Sequence, residues 1–197
     1  MELVEERVRI EHHVLTLLRP PQADALIDEA AFDDDEFLPY WAELWPSGVA
    51  LAEAVAELDV RGLRVLELGA GLALPSLAAA LGGADVLATD WSEDAVALLK
   101  DNAARNSAAL RAAEVRWDEP DKLVAAAPWD LVIGADLLYE QRNADVLLEL
   151  LPRLGASVLL ADPGRPFERG FLDRAAERWT IETAAGTPVR VHRLRLR

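Results

Sequence analysis

The sequence predicts an α/β protein with a seven-stranded, mostly parallel sheet, helices on both faces and an antiparallel C-terminal hairpin. From about residue 62 onward, short aliphatic runs alternate with amphipathic segments, which favours a parallel sheet covered on both faces. One early run leads into a glycine turn that opens a helix. The last two strand-like runs are joined only by residues 185–188, too few for a parallel crossover, so one of these strands is antiparallel.

The strands and helices follow from these runs in order. The predicted strands are 63–68, 85–89, 113–117, 130–135, 156–161, 179–184 and 189–196. The predicted helices are 74–81, 92–106, 143–151 and 166–177. Ser92 begins the second helix, because its hydroxyl can cap the helix and the acids Glu93 and Asp94 suit its first turn.

The N-terminal quarter of the chain is predicted to be an extension of the same domain. The length of 197 residues favours one domain, residues 1–197. Residues 51–197 form its core, and residues 1–50 contain a probable hairpin at 6–18, an acidic stretch at 33–36 and an aromatic segment. We expect these first 50 residues to form a cap or a substrate-side extension.

Composition excludes several classes of site and partner. The chain contains no cysteine, which rules out disulfides, thiolate metal sites and a cysteine nucleophile. Its three histidines lack metal-ligand spacing, so no metal is predicted. A net charge of −15 disfavours nucleic acid and anionic membranes as partners. With no long apolar run and no signal peptide, a cytoplasmic location is expected.

The strongest motif is the glycine loop after the first core strand, with the pattern E-x-G-x-G-x-A from Glu67 to Ala73. Gly69 and Gly71 allow the backbone to turn sharply and to approach a ligand closely. A dinucleotide fingerprint needs a third glycine where Leu74 stands. This substitution, and the absence of a nearby His, Cys or Lys, argue against an NAD-dependent oxidoreductase.

An acid closes the next strand at a matching position. Asp90 lies 17 residues past Ala73, near the offset at which a carboxylate accepts hydrogen bonds from ribose hydroxyls. Taken singly, Glu67 could cap a turn and Asp90 could begin a loop. Together, the strand, loop, helix and terminal acid predict a nucleoside-binding site, to which Trp91 also belongs.

Two further segments lie outside the glycine motif. Tyr40, Trp41 and Trp45 fall within six residues, interrupted by proline and glycine. They are either core anchors or a pocket wall whose rings attract a cation. Asp136 and Tyr139 follow the fourth core strand with D-x-x-Y spacing, which places both side chains on one face if the turn is helical.

These motifs together resemble a known family. The glycine motif is similar to the first motif of the class I, Rossmann-like methyltransferases. The Tyr-Trp segment, the D-x-x-Y motif and the segment 162–166 (Asp-Pro-Gly-Arg-Pro) resemble the family 16 lysine methyltransferases, most of all the type that acts on the electron transfer flavoprotein β-subunit. The resemblance covers roughly residues 37–166.

The resemblance implies S-adenosylmethionine as cofactor. The implied cofactor-binding residues are Trp45, Glu67, Gly69, Gly71, Asp90, Trp91 and Asp118. Glu67 would hold the amino-acid end of the cofactor, directly or through water. Asp118, which follows the third core strand, would accept from the exocyclic amine of adenine, although a solvated loop acid is the alternative.

Asp136 and Tyr139 are the implied catalytic residues. A free lysine has a pKa of about 10.4, and a neighbouring carboxylate raises it. Asp136 is therefore expected to capture and orient the lysine ammonium rather than to act as its base, and Tyr139 to line the channel. Alternatively, Asp136 caps the following helix and Tyr139 packs beneath it.

The predicted function is methyl transfer from S-adenosylmethionine to a protein lysine. One alternative is a small-molecule N- or O-methyltransferase, whose acceptor would replace the protein substrate. An alternative of another class is a non-catalytic, nucleotide-binding regulatory module. No motif in the sequence identifies the acceptor.

Overall fold

The computed structural model describes residues 2–21, 39–184 and 188–197. Among these residues the central element is a seven-stranded sheet, parallel except for one strand near its C-terminal edge. This confirms the predicted fold class. The predicted acidic stretch at 33–36, and residues 185–187 of the connection between the last two strands, lie outside the described residues.

The strands are β1 (Val4–Ile10), β2 (His13–Arg19), β3 (Arg64–Leu68), β4 (Asp85–Asp90), β5 (Leu110–Glu114), β6 (Leu131–Ala135), β7 (Ser157–Asp162), β8 (Trp179–Ala184) and β9 (Arg190–Leu196). The helices are α1 (Pro46–Ala56), α2 (Leu74–Leu81), α3 (Glu93–Arg105), α4 (Asp121–Ala125), α5 (Gln141–Leu154) and α6 (Glu168–Ala175). A 3-10 turn, Tyr40–Ala42, precedes α1.

Most predicted elements occur at their predicted positions, and the Ser92 hydroxyl accepts from Ala95 N at 3.3 Å as expected of a helix cap. The third core strand was placed too late: β5 ends at Glu114, which pairs with Asp90 at the end of β4. The end of β5 is set by its pairing with β4, which the local sequence does not reveal. The residues after it leave the sheet and lead to the candidate site.

Helices α1 and α4 were not predicted. The aromatic and proline-rich segment before residue 48 lacks helical periodicity, but α1 begins only at Pro46, and proline suits the first turn of a helix. Leu51 and Val55 on this helix are fully buried. The predicted division between extension and core, at residue 50, falls inside α1.

The two larger of three apolar clusters among the described residues cover the two faces of the sheet. On one face, Leu51 of α1 and Leu77 of α2 pack with the inward residues of the strands. On the other, Leu147 of α5 and Phe171 of α6 do the same. Val65 belongs to the first core and its neighbour Leu66 to the second, as expected when successive strand residues face opposite sides.

The hairpin β1–β2 contributes Ile10, Leu15 and Leu17 to the core that contains Leu51 and Leu77. The side chain of Asn102 on α3 accepts from Leu18 N at 2.7 Å and donates to Leu18 O at 3.1 Å, and Asn106 makes the same pair of bonds with Thr16. The described helices include none long and apolar enough to cross a membrane.

The sheet order places the candidate site. The strand order is β5-β4-β3-β6-β7-β9-β8, so the chain winds in opposite directions from the neighbours β3 and β6. The carboxyl ends of such neighbours leave a crevice where open α/β sheets bind ligands. The glycine loop follows β3, and Asp136 follows β6 at the same edge.

Candidate active site

A cavity of about 810 Å³ occupies this crevice, a volume typical of sites for small molecules and cofactors. All the residues predicted for the site line it except Asp118. The segment between Tyr40 and Gly48 forms the opposite wall. The aromatic segment of the N-terminal extension therefore borders the site.

The glycine loop needs its glycines. Gly69 has φ +62°, and a Cβ there would lie 2.9 Å from Leu137 Cδ2 and 3.3 Å from the Trp117 ring. Gly71 has φ +49°, and its Cβ would lie 3.1 Å from the Trp41 carbonyl oxygen. A side chain at either position would strain the backbone, because φ is positive, and would contact the neighbouring atoms too closely. The bare backbone instead borders the cavity.

Asp90 joins the two loops at the edge of the sheet. Its Oδ2 accepts from Gly71 N at 2.9 Å and its Oδ1 accepts from Ser92 N at 3.1 Å. Burial raises the pKa of this carboxyl, while these backbone donors act in the opposite direction. Each oxygen has a further lone pair for a ligand in the cavity.

Glu67 is buried at the end of β3, with 1% of its surface exposed. Its Oε2 accepts from Ser76 N at 3.0 Å, a backbone donor in the first turn of α2 that has no partner within the helix. Burial raises the pKa of Glu67 from 4.5 to about 8. The residue thus anchors the helix that follows the glycine loop while it also lines the cavity.

These groups fit a nucleoside-bearing cationic cofactor. The loop lets its backbone approach, Asp90 offers acceptors for ribose hydroxyls, and two acids, Glu67 and Asp90, border a cavity with aromatic walls. A buried carboxyl with a raised pKa such as Glu67 ionises more readily when a ligand ammonium is bound beside it. These carboxyl groups and aromatic rings therefore suit S-adenosylmethionine.

Asp118 does not reach the cavity. Its side chain is 59% exposed, and its oxygens accept from Arg116 at 3.2 Å. The neighbouring Trp117 lines the cavity instead and packs against Gly69. Because β5 ends before residue 117, the turn that follows directs the indole of Trp117 into the cavity. A nucleobase bound here would therefore meet an aromatic face rather than an acid.

Aromatic rings form the outer wall. The rings of Tyr40 and Tyr139 have centroids 5.6 Å apart, and those of Tyr40 and Trp45 lie 6.4 Å apart. Trp45 Nε1 donates to Tyr40 O at 2.8 Å, which fixes the indole. Trp91 is 37% exposed at the rim. Burial raises the pKa of Tyr139, which keeps its phenol protonated at neutral pH.

Asp136 faces the cavity and has a partner that sequence reasoning missed. Arg165 Nε donates to Asp136 Oδ1 at 2.6 Å, and Arg165 Nη2 donates to Oδ2 at 3.1 Å. Asp136 has φ +58°, a conformation that aspartate tolerates better than most residues. Its carboxylate does not cap α5, whose first residue is Gln141 and whose N-cap is Glu140.

The loop after β7 presents Arg165. Asp162 Oδ1 accepts from Gly164 N and from Arg165 N, both at 2.7 Å. The guanidinium of Arg165 also lies 5.4 Å from the centroid of the Trp45 ring. The segment 162–166 was noticed in the sequence, but Asp136 and Arg165 are distant in the chain and no local pattern pairs them.

Among residues 2–21, 39–184 and 188–197, no group of three or more histidine or acidic side chains is arranged to hold a metal ion.

Comparison with known proteins gives consistent similarities. The family model described as lysine methyltransferase matches residues 36–161. The chain is 33% identical over 152 residues to protein N-lysine methyltransferase METTL21A of Danio rerio, covering 72% of this chain and 69% of that protein. It is 38% identical over 136 residues to the electron transfer flavoprotein beta subunit lysine methyltransferase of Xenopus laevis, covering 64% of this chain. The chain spans 53% of the length of that second relative.

Solved structures agree on the fold. The 16S rRNA N2 G1207 methyltransferase RsmC of T. thermophilus, in complex with AdoMet and guanosine, superposes with a TM-score of 0.74 at 20% identity. The match covers 99% of this chain and 51% of that one. At this identity the similarity concerns the fold alone.

Proposed function

This chain belongs to the lysine methyltransferase family, and from that premise we propose that it transfers a methyl group from S-adenosylmethionine to a lysine side chain of a protein. The family membership confirms the resemblance predicted from the Tyr-Trp and D-x-x-Y segments. The acceptor protein is part of the proposal, since one relative is named for the electron transfer flavoprotein beta subunit and the other only for protein lysine.

The observation that carries the proposal is the convergence of two kinds of group in one cavity. The cofactor side has the glycine loop with Glu67 and Asp90, and the acceptor side has Asp136 and Tyr139. A carboxylate beside aromatic rings suits an alkylamine, because the acid accepts from N–H and the rings favour a cation. An anionic acceptor would be repelled by the surrounding acids.

The protein's part in the reaction is alignment. When bound, S-adenosylmethionine supplies a methyl carbon whose bond to a sulfonium sulfur breaks as the new carbon–nitrogen bond forms, and the attacking nitrogen must be unprotonated. Asp90 and the glycine loop hold the nucleoside, and Glu67 orients the amino-acid end. Asp136 and Tyr139 orient the acceptor nitrogen. Correct placement of two reactants lowers the barrier by itself.

A labelling experiment tests the proposal. The protein is incubated with a cell lysate and S-adenosylmethionine carrying a radioactive methyl group, and labelled proteins are hydrolysed to identify the methylated amino acid. We expect label in methyl-lysine. Label in another amino acid or only in the small-molecule fraction refutes the lysine acceptor, and no label at all, with S-adenosylhomocysteine still binding in calorimetry, supports the regulatory module instead.

Asp136→Asn tests the acceptor side. We expect the transfer rate to fall by about 100-fold or more, because the acceptor nitrogen is misplaced, while S-adenosylhomocysteine binds with the affinity of the parent. The exposed Asp118→Asn is the matched control and should keep the parent rate. Full activity of Asp136→Asn on a lysine-bearing protein would contradict the assignment.

A cytoplasmic location and the exclusion of nucleic acid and membranes as partners stay predictions from composition and net charge.

A further inference from the structure

Arg165 holds the carboxylate that the proposed function assigns to the acceptor. Its two hydrogen bonds to Asp136 form a planar fork, and the indole of Trp45 lies against the same guanidinium. Such bidentate pairs are strong and fix the geometry of both partners. The Asp136 side chain is only 7% exposed, so that its charge without a partner would be costly.

A carboxylate next to an acceptor amine has two opposing effects. Its lone pairs can orient the nitrogen, but its negative charge favours the ammonium form, which cannot accept a methyl group. A charge within about 4–6 Å shifts a pKa by about 1–3 units. An adjacent guanidinium cancels this charge, while each carboxylate oxygen keeps a lone pair for a further hydrogen bond.

We propose that Arg165 is a positioning residue that neutralises Asp136, so that this carboxylate orients the acceptor nitrogen without retaining a proton on it. The inference rests on the proposed function, because it needs an amine as acceptor. It does not require Arg165 to touch the cofactor or the methyl group.

The surroundings of the pair support a fixed rather than a displaced guanidinium. Asp162 at the end of β7 binds the backbone of Arg165. The hydrogen bond to Asp136 raises the pKa of Arg165, burial acts in the opposite direction, and the charges of Asp136 and Asp162 raise it further. Tyr139 lines the same cavity, as do five further ionisable side chains, which are Glu43, Glu67, Asp90, Glu140 and Arg142. Because these groups are the same in every Arg165 variant, substitution of Arg165 isolates the charge next to Asp136.

The test is the pH dependence of kcat for two substitutions, because kcat reports the groups that titrate in the complex with the acceptor. Arg165→Met removes the charge at similar length, and Arg165→Lys keeps the charge but not the fork. The acceptor is the purified protein that the parent labels most strongly on lysine in the lysate. We expect Arg165→Met to move the ascending limb of the profile upward by about 1–3 pH units and to lose at least tenfold in kcat at neutral pH. The lost rate should return as pH rises, and Arg165→Lys should keep the limb of the parent.

Two results would overturn the proposal. A loss in Arg165→Met that is equal at every pH means that the residue is merely structural. A gain at neutral pH means that the guanidinium occupies the place of the acceptor and must leave. The affinity for S-adenosylhomocysteine, measured by calorimetry, should be unchanged in both variants.

A readout without acceptor separates this inference from the proposed function. In urea denaturation, the double variant Asp136→Asn/Arg165→Met should shift the midpoint much less than the sum of the two single shifts, since the groups act as a pair. Additive shifts refute the pair. Coupled shifts without any methylated lysine in the parent's assay refute the proposed function, and this inference falls with it.

Discussion

Substitution of Glu67 by glutamine tests whether burial keeps the Glu67 carboxyl protonated in the folded protein. Glu67 lies under the glycine loop with 1% of its surface exposed, and burial raises its pKa from 4.5 to about 8. Between these two pH values the folded protein holds a proton that the unfolded chain releases. The contribution of Glu67 to stability is therefore fully present below pH 4.5 and is lost as pH rises through 8.

The magnitude follows from the size of this window. Each pH unit within it lowers the free energy of unfolding by about 1.4 kcal/mol. From pH 5.5 to pH 7.5 the parent should lose about 2–3 kcal/mol through this residue, and about 5 kcal/mol is the order of magnitude for the whole window. Glutamine has no charge to bury, and its carbonyl oxygen can accept from Ser76 N as Glu67 does.

Urea denaturation at several pH values between 5.5 and 8.5 measures the difference. The parent should lose stability relative to Glu67→Gln as pH rises, and the difference should level off above pH 8. Asp90 and Asp162, whose pKa values burial also raises, remain in both proteins, so the comparison isolates Glu67. Glu53→Gln, on the exposed side of α1, is the control. Its free energy of unfolding should change with pH in the same way as that of the parent. A constant difference between Glu67→Gln and the parent across this range would refute the reasoning.

Two further predictions concern cofactor binding. Asp90→Ala should weaken S-adenosylmethionine binding by about 1–3 kcal/mol, because it removes a charged acceptor and the hydrogen bond that holds Gly71. Calorimetry measures the affinity, and a circular dichroism spectrum like that of the parent shows that the variant is folded. Unchanged affinity would contradict the prediction. Trp45→Phe should reduce the fluorescence change on S-adenosylhomocysteine binding, because Trp45 lines the cavity; an equal change in parent and variant would place the signal on Trp41, Trp91 or Trp117.

The candidate site was predictable where its chemistry is local. Glu67, Gly69 and Gly71 lie within five residues, and the strand–turn–helix pattern around them has one geometric solution at the edge of a parallel sheet. Asp90 follows from the next strand in the same way. Asp118 shows the limit of this reasoning. A shift of β5 by three residues leaves the acid in solvent and brings Trp117 into the cavity.

The sequence by itself determined the alternation of strands and helices after residue 62 except for α4, the C-terminal hairpin, the glycine loop and the presence of Asp136 and Tyr139 after a strand, because each depends on neighbours in the chain. Only the tertiary structure decided what those groups meet. The pairing of Asp136 with Arg165, 29 residues away, arises because β6 and β7 lie side by side and release their loops at one edge of the sheet. The contact of the Arg165 guanidinium with the Trp45 ring depends on a third segment, which lies just before α1 in the chain. Electrostatic and packing energies follow distance in space, and the fold alone sets that distance.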